Sequence, residues 1–328
     1  MKKALKLDKK VSIEIKPKVP FNFDGTVFKP SHFPTPDHIW EEGKYWQTMR
    51  IDGKISGFKL ENKGTIRNPK VKVSLYTKGP LKLKEKGKAL EKISWQFGFN
   101  EDLTEFYEEF KKDKILASLF ILKKYLGTRE NSGEVGLYTM LQVYIVLQNA
   151  TVRRTVQMMN NLLEKYGQKV KFDGKEMYVF WTPEILNRAS EKELRNLKLG
   201  YRAKFLKRIA KDFVEGKIDE ELIKKLPKEE AKKELLKIYG IGPASAGYIL
   251  FEVFRRFDSF DYLPPWEQKI LSRLIYNKKL VPTEKILKEA ERRWGKWRIL
   301  VIHYIFEDIF WQRKRGQKIP WLEKEIRL

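Results

Sequence analysis

The segment that most constrains the fold of this chain runs from Leu235 to Lys269 and reads LLKIYGIGPASAGYILFEVFRRFDSFDYLPPWEQK. This pattern predicts a helix, a tight glycine hairpin, a second helix, and a short acidic turn with prolines that leads into a third helix. Gly240 and Gly242 flank Ile241, so we expect positive φ angles where a side chain would clash. Backbone N–H groups at the start of the second helix would point outward and could bind a phosphate, although a purely structural turn fits the same residues.

The net charge of the chain favours a phosphate-bearing partner. The 328 residues include 68 Lys and Arg against 43 Asp and Glu, which gives a formal charge of +25. Abundant Lys and Glu without cysteine is typical of a thermophilic protein, but this explains the amount of charge and not its sign. A polyanionic partner explains the sign, and nucleic acid is the commonest such partner.

The usage of cysteine and histidine excludes several kinds of chemistry. Because the chain has no cysteine, it has no disulfide, thiolate nucleophile, cysteine-ligated zinc or cysteine-held iron–sulfur cluster. The three histidines, His32, His38 and His303, lack the helical spacing of metal ligands, so we expect no metal and no cofactor. No apolar run reaches about 18 residues and the N-terminus has no signal-peptide core, so we expect a soluble, intracellular protein with no membrane partner.

Two regions with different periodicity follow one another along the chain. Between residue 12 and about residue 82, short segments rich in β-branched and aromatic residues alternate with turns such as Asp52-Gly53, a type I′ hairpin signal. From about residue 100 the apolar spacing is helical, with Leu137–Val146 as a buried core helix. The predicted fold class is therefore α+β. An N-terminal antiparallel β-sheet domain (residues 1–100), with helix on one face, precedes an all-α helix-hairpin-helix region (residues 101–328).

Four segments in this order resemble one enzyme family. They are the hairpin segment Leu235–Tyr248 and the shorter Ile145–Thr151 (IVLQNAT), Leu199–Ala203 (LGYRA) and Trp294–Arg298 (WGKWR). Together with the N-terminal β region, they are similar to the HhH-GPD superfamily of DNA glycosylases, in particular its 8-oxoguanine and bacterial 3-methyladenine branches. The resemblance covers roughly residues 12–312, and it implies two helical subdomains with a DNA-binding cleft between them.

The resemblance also implies how DNA would be held. Such enzymes kink the duplex and flip a damaged base into a pocket while side chains fill the gap. Gln148 and Asn149 match the turn that enters the minor groove in this family. Arg154 matches a position that can read the opposite base, and Tyr201 matches a residue that wedges beside the gap. Two structural alternatives stay open, since Gln148 and Asn149 could cap a helix and Tyr201 could be a core residue.

The hairpin itself departs from part of the family pattern. The resemblance implies that the backbone amides of Gly240, Gly242 and Ala244 hold a phosphate of the DNA strand. Bifunctional members place a lysine two residues after the second glycine, where it attacks the sugar and forms a Schiff base. In this chain that position is Ala244. The departure favours a monofunctional enzyme that uses water, without AP-lyase activity.

The expected catalytic carboxylate is also out of register. Cleavage of the N-glycosidic bond builds positive charge on the sugar, and family members stabilise this charge with an aspartate at the turn after the second hairpin helix. The matching position here is Trp266. Glu267, one residue later, is our first catalytic candidate and Asp261 is the second. The alternative is that these acids are solvated loop residues of a catalytically silent protein.

Three aromatic residues are candidates for the walls of a base pocket, because a flat ring can stack on any extruded base. They are Trp266, Tyr262 and Trp311, and core packing explains each of them equally well.

The function that this pattern favours is base-excision repair. We expect a DNA glycosylase that acts as a monomer on double-stranded DNA and hydrolytically removes an alkylated, deaminated or oxidised base without metal or cofactor. Two alternatives stay open: a non-catalytic helix-hairpin-helix module that binds damaged or kinked DNA, and an RNA-binding protein that uses the same basic surface.

Overall fold

The computed structural model describes residues 4–118, 125–131 and 136–325. Its strands are β1 (Leu5–Lys6), β2 (Lys9–Ile15), β3 (His38–Glu41), β4 (Lys44–Ile51), β5 (Lys54–Asn62), β6 (Val71–Thr77), β7 (Gln168–Phe172) and β8 (Lys175–Val179). Its α-helices are α1 (Phe23–Val27), α2 (Leu83–Gln96), α3 (Thr104–Phe110), α4 (Lys114–Ser118), α5 (Leu137–Leu147), α6 (Val152–Tyr166), α7 (Pro183–Arg188), α8 (Glu191–Leu194), α9 (Arg202–Val214), α10 (Glu220–Lys225), α11 (Lys228–Lys237), α12 (Pro243–Glu252), α13 (Pro265–Tyr276), α14 (Thr283–Trp294), α15 (Arg298–Lys314) and α16 (Pro320–Glu325). A π-helical turn, Arg195–Leu199, follows α8, and a 3₁₀ turn, Gly295–Trp297, precedes α15.

The N-terminal region is an antiparallel sheet, as predicted. Five strands pair in the order β2-β6-β5-β4-β3. Asp52 and Gly53 form the two-residue turn between β4 and β5, and their φ angles of 47° and 77° have the positive sign that a type I′ turn requires. The predicted hairpin is therefore confirmed, and with it the register of the two longest strands.

Helix α2 covers one face of this sheet, which confirms the expected helix. Ala89 and Ile93 of the helix are fully buried and belong to one core cluster with Leu60, Val73 and Leu75 of the strands. Alternate residues of each strand point to this face, and their β-branched and aromatic side chains fill the space under the helix.

A second, smaller sheet corrects the expectation that everything after residue 100 is helical. Strands β7 and β8 form a hairpin between α6 and α7, and β1 pairs with β7 in parallel. Phe172 packs against the N-terminal sheet at Gly57. The contact is so close that a Cβ atom on Gly57 would lie 2.3 Å from the ring of Phe172. Asp173 accepts hydrogen bonds from Nε1 of Trp46 and the hydroxyl of Tyr76, both at 2.8 Å. The inserted hairpin thus links the sheet to the helices.

The helices pack around two hydrophobic cores. The first contains buried residues of α5, α6, α9, α11 and α12, among them Leu141, Leu162 and Leu206. The second contains buried residues of α3, α13, α14 and α15, among them Phe106 and Trp294. Within the described residues, no helix combines the length and the apolar character that crossing a membrane requires.

The docking of the β7–β8 hairpin generates a stability prediction. Phe172→Ala removes a ring that is 3% exposed, so we expect the free energy of unfolding to fall by about 3–5 kcal/mol. Lys171→Ala, an exposed position on the same strand, should change it by less than about 0.5 kcal/mol. Denaturant unfolding measures both, and equal midpoints for the two variants would mean that the hairpin contributes little to the fold.

Candidate functional site

The predicted hairpin joins α11 to α12, and its two glycines adopt different backbones. Gly240 has a φ angle of 94°, which favours glycine, and a Cβ there would lie 2.9 Å from Phe205 and 3.0 Å from Ile145. Gly242 has a φ angle of −104°, and a Cβ there would meet no atom within 4 Å. The expected positive φ is therefore confirmed at Gly240 and wrong at Gly242, which stands beside open space.

Helix α12 begins directly after the hairpin, with Gly242 as its N-cap and Pro243 as its first residue. The N–H groups of Ala244 and Ser245, in the first turn, have no preceding carbonyl within the helix to bind. They add to the positive end of the helix dipole, and this combination favours an anion. Ile241 is 6% exposed and belongs to the first helical core, so the loop is anchored from inside.

Gln148 connects the end of α5 to this hairpin. Its Nε2 donates a hydrogen bond to the backbone oxygen of Gly240 at 2.5 Å. The side chain therefore binds the neighbouring hairpin and does not cap its own helix. Asn149 follows with a φ angle of 48° and is exposed. The turn after α5 and the glycine hairpin thus form one continuous surface.

Tyr201 and Arg154 lie beside the same turn. Tyr201 is 39% exposed, so it is not a core residue, and Nδ2 of Asn149 donates to its hydroxyl at 3.2 Å. Nη2 of Arg154 donates to the backbone oxygen of Lys198 at 2.6 Å, in the π-helical turn that leads to Tyr201. The structure therefore brings together all the side chains that the sequence assigned to DNA contact, together with Gly240.

An aromatic and basic extension of this surface was not predicted from the sequence. Tyr239, next to the hairpin, is 47% exposed, and its ring centroid lies 5.0 Å from that of Phe205. Nζ of Lys204 lies 5.8 Å from the ring centroid of Tyr239. Exposed rings with cations beside them suit stacked bases and phosphates.

Glu267 lies in the first turn of α13 and is 0% exposed, so it is not a solvated loop acid. The hydroxyl of Tyr248 donates to its Oε1. Burial raises the pKa of Glu267 to about 8, and the hydrogen bond from Tyr248 opposes this effect. The carboxyl is therefore mostly neutral at pH 7. Its neighbour Trp266 is 43% exposed, with its ring centroid 5.9 Å from that of Phe306.

Asp261, the second catalytic candidate, sits among cations. Its carboxylate accepts from Arg298 at 2.9 Å, from Lys232 at 3.2 Å and from Lys228 at 3.3 Å. Burial would raise the pKa of Asp261, but the hydrogen bond from Arg298 and the two lysines hold it below its usual value. Asp261 thereby connects the turn before α13 to two lysines of α11 and to the first residue of α15.

Two of the three aromatic candidates are exposed and one is not. Trp266 and Tyr262 are 43% and 44% exposed. Trp311 is 9% exposed and packs against Phe28 and Trp40, with ring centroids 5.7 Å and 6.2 Å away. Trp311 therefore packs in the core beneath the N-terminal region.

Two stacked tyrosines next to Glu267 were missed by the sequence reasoning. The rings of Tyr144 on α5 and Tyr248 on α12 lie 6.3 Å apart with an interplanar angle of 17°. Tyr248 donates to Glu267, whereas the hydroxyl of Tyr144 donates to Oε2 of Glu252 at 2.7 Å. Two carboxyl groups are thus held by two hydroxyls of one stacked pair.

Glu252 forms part of a buried acid pair. Three potential metal-ligand atoms lie within 4.8 Å of one another here: a carboxyl oxygen of Glu252, a carboxyl oxygen of Glu130 and a ring nitrogen of His32. Such a grouping could hold a metal ion. Burial raises the pKa of Glu252, and the nearby charge of Glu130 raises it further. Burial would also raise the pKa of Glu130, but His303, 3.0 Å away, holds it well below its usual range. The pKa values of the two carboxyls are therefore shifted in opposite directions, upward for Glu252 and downward for Glu130.

A cavity of about 630 Å³ adjoins this acid pair, since His32 is one of its lining residues. Aromatic rings of Phe28, Phe33 and Phe310 contribute to its walls, and Lys29 contributes a cation. The volume and the lining suit a planar, polar ligand such as a nucleobase.

The signal that could have found the acid pair was a single polar residue in an apolar helix. Glu252 is the one acid of α12, and it lies one turn after Tyr248 on the same face. Its partners Tyr144 and Glu130 lie more than 100 positions earlier in the chain, so no local pattern connects them.

Comparisons with known proteins find a family model and several relatives that match this part of the chain. The sequence model of the HhH-GPD superfamily base excision DNA repair protein matches residues 143–298, which include the hairpin, the Gln148 turn and Glu267. A DNA-3-methyladenine glycosylase of Bacillus subtilis (strain 168) is 25% identical over 217 residues, 65% of this chain and 70% of its own length. A probable N-glycosylase/DNA lyase of Methanothermobacter thermautotrophicus is 23% identical over 284 residues, 81% of this chain and 86% of its own.

Solved structures with a similar fold include both kinds of enzyme. A 3-methyladenine DNA glycosylase from Archaeoglobus fulgidus has a TM-score of 0.74 at 20% identity, covering 94% of this chain and 100% of its own. The apo form of Clostridium acetobutylicum 8-oxoguanine glycosylase/lyase has a TM-score of 0.69 at 22% identity, covering 93% and 98%. The overall fold is therefore shared along nearly the whole chain.

Proposed function

Because residues 143–298 belong to the HhH-GPD superfamily of base excision DNA repair proteins, we propose that this DNA glycosylase flips a damaged base out of duplex DNA and removes it by hydrolysis. The observation that carries the proposal is the hydrogen bond from Gln148 to Gly240, because it joins the turn assigned to the minor groove to the hairpin assigned to the phosphate. One surface can then bind the phosphate of the DNA strand and fill the position that the flipped base leaves empty.

Phosphate binding by the hairpin would supply much of the affinity. The N–H groups of Gly242 and Ala244 and the dipole of α12 favour an anion, and the net charge of +25 favours a polyanion. We propose that Gln148 and Asn149 enter the minor groove, that Tyr201 wedges beside the emptied position and that Arg154 reads the opposite base. The cleft between the two helical subdomains of residues 101–328 would hold the duplex, and one protein molecule would act on one lesion.

Glu267 is the carboxylate that we propose for the sugar side of the reaction. As the bond between base and sugar breaks, positive charge develops on the sugar, and an ionised carboxylate stabilises it or takes a proton from the attacking water. Glu267 is mostly neutral before DNA binds, so the ionised fraction that performs this role grows as the pH rises through about 8. Trp266, exposed at the position of the family aspartate, would stack against the extruded base.

Hydrolysis is favoured over lyase chemistry by the identity of one residue. The position that carries the Schiff-base lysine in bifunctional enzymes is Ala244 here, and a methyl group cannot attack the sugar. The relatives include both a glycosylase and an N-glycosylase/DNA lyase by name, so their names favour neither outcome. The substrate class that we propose is a purine altered by alkylation, deamination or oxidation.

The chemical role of Glu267 is tested by Glu267→Gln. We expect single-turnover release of a damaged base from duplex oligonucleotides to fall by roughly 10²–10⁴-fold, because the amide cannot ionise, while affinity for the duplex stays unchanged. Asp261→Asn is the matched control and should retain turnover once its thermal stability is accounted for. Equal loss in both variants, or full activity of Glu267→Gln, would contradict the assignment. Binding of damaged DNA without release of any alkylated, deaminated or oxidised base would instead identify a protein that reads lesions.

The two hairpin glycines separate folding from DNA binding. Gly240→Ala should lower the free energy of unfolding by about 1–3 kcal/mol, because alanine is strained at a φ angle of 94°. Gly242→Ala should leave stability unchanged, since its methyl group would enter open space. If a DNA phosphate occupies that space in the complex, the same methyl group should weaken duplex binding by roughly tenfold (about 1.4 kcal/mol). Thermal unfolding and fluorescence anisotropy measure the two effects. Unaltered binding by Gly242→Ala would remove the hairpin from the DNA contact.

Absence of a Schiff base is a separate expectation. Borohydride should trap no covalent complex between the protein and a lesion-bearing duplex, because Ala244 has no amine. The exposed Lys269, two residues after Glu267, is the alternative nucleophile. A trapped complex that disappears in Lys269→Gln would show that a displaced lysine gives lyase activity, and a complex that persists would point to another amine.

A further inference from the structure

The buried pair Glu130 and Glu252 has no part in the step proposed for Glu267, although Glu252 contacts the tyrosine pair that also contacts Glu267. The two carboxyl groups and the ring of His32 come from three separate segments: the loop after α1, the segment 125–131 and the end of α12. Two carboxyls placed this close cannot both carry a charge cheaply, so one keeps its proton. Such a pair is a common arrangement for acid and base chemistry in enzymes.

A chain of side-chain contacts connects Glu252 with Glu267, the carboxyl proposed for the sugar side. Glu252 accepts from Tyr144, Tyr144 stacks on Tyr248, and Tyr248 donates to Glu267. Glu252 and Tyr248 lie one turn apart on the same face of α12. Each tyrosine of the stacked pair therefore donates its hydroxyl to a different carboxyl, Tyr144 to Glu252 and Tyr248 to Glu267.

The neighbouring cavity supplies room for a base. His32, whose ring nitrogen lies within 4.8 Å of the carboxyl oxygen of Glu252, lines the cavity of about 630 Å³. Phe28, Phe33 and Phe310 offer rings for stacking. A purine held there would have the acid pair on the side of His32.

We propose that Glu252 is the acid that protonates the departing base, while Glu267 serves the sugar side; this inference rests on the proposed glycosylase function. In this step the bond between C1′ of the sugar and the base nitrogen breaks, and its electron pair stays on the base. A ring nitrogen of the base takes the proton of the Glu252 carboxyl. Water adds to C1′ through its oxygen and gives one proton to Glu267, which afterwards releases that proton to solvent. The net change is the addition of one water molecule, and Glu252 regains its proton from solvent through the half-exposed ring of His32.

The proton on Glu252 is maintained by the groups that face it. Burial and the charge of Glu130 favour the neutral form, whereas the hydroxyl of Tyr144 and the nearby Arg255 favour the ionised form. Arg255 is itself paired with Glu101 at 3.3 Å, so its charge is partly engaged elsewhere. His303 and Lys29 keep Glu130 ionised, and this in turn keeps Glu252 protonated at neutral pH.

If Glu252 is the acid, its contribution to the rate of base release depends on the charge of the damaged base. A deaminated or oxidised purine is neutral and leaves as an unstable anion unless it gains a proton. A purine alkylated at a ring nitrogen already carries positive charge and leaves without one. Glu252 therefore accelerates the release of neutral bases and is dispensable for cationic ones.

The two classes of lesion should also differ in their pH profiles. Glu267 acts ionised, so release rises with pH through about 8 for either class. Glu252 acts protonated, so release of a neutral base falls again once the pH exceeds its raised pKa. We expect a bell-shaped profile for a neutral base and only the rising limb for a cationic base.

The test compares Glu252→Gln with the unaltered full-length protein on duplexes that carry hypoxanthine or 7-methylguanine. Single-turnover release of hypoxanthine at pH 7 should fall by roughly 10²–10⁴-fold and release of 7-methylguanine by less than about threefold, with thermal stability and duplex affinity unchanged. Glu130→Gln removes the like charge and lowers the pKa of Glu252, so the falling limb for hypoxanthine should move to lower pH. A merely structural role for Glu252 would not produce either the lesion dependence or this shift.

Several outcomes would overturn the inference while leaving the glycosylase function intact. The first is that Glu252→Gln slows the release of hypoxanthine and of 7-methylguanine by the same factor. The second is that Glu252→Gln releases hypoxanthine as fast as the unaltered protein. The third is that the unaltered protein releases only cationic bases. If the unaltered protein releases only neutral bases, the pH profile of Glu252→Gln decides. Loss of the decrease in release at high pH supports Glu252 as the acid, and a decrease that remains contradicts it. Release of no base of any class would refute the proposed function itself, and the role of Glu252 with it.

Discussion

Helix α12 has to pack into two hydrophobic cores at once, and the positions of the site residues follow from this constraint. Leu250 is buried in the first core and Phe251 in the second, so the helix can neither rotate nor slide without disturbing both. Its first turn presents the hairpin amides, and its remaining face carries Tyr248 and Glu252. The hairpin amides and the Glu252 carboxyl are therefore carried by one helix, so their relative geometry does not depend on a loop between them.

Charge state in the site is decided by distant neighbours and not by residue type. Asp261 and Glu267 lie six positions apart, yet Asp261 is ionised among Arg298 and two lysines while Glu267 is neutral against Tyr248. An ionised carboxylate is costly in an apolar environment unless a cation accompanies it. The acids that lack such a cation keep a proton, and this makes them available for chemistry that an exposed aspartate could not perform.

Much of the fold could be predicted from the sequence, because its signals are local. The Asp52-Gly53 turn, the sheet with its helix and the glycine hairpin all depend on neighbouring residues. Asp173-Gly174 carries the same turn signal, with φ angles of 47° and 76°. Its two strands have only five residues each and lie between helices, so the helical spacing around them hides the hairpin. In the site, the structure gathers around Gly240 the side chains that the sequence predicts to contact DNA. It could not reveal the contact between Tyr144 and Glu252, which depends on how two helices pack across 108 positions.

The parallel pairing of β1 with β7 has a consequence for synthesis of the protein. Residues Leu5 and Lys6 leave the ribosome long before their partners Val170 and Lys171, so the small sheet cannot close until the chain has grown past Val179. Until then the apolar side chain of Leu7, 3% exposed in the finished fold, has no β7 to cover it. Folding of the N-terminal region is therefore complete only after residues 168–179 have been synthesised. A nascent chain halted before residue 168 would expose the unpaired edge of β1 to solvent and to other chains.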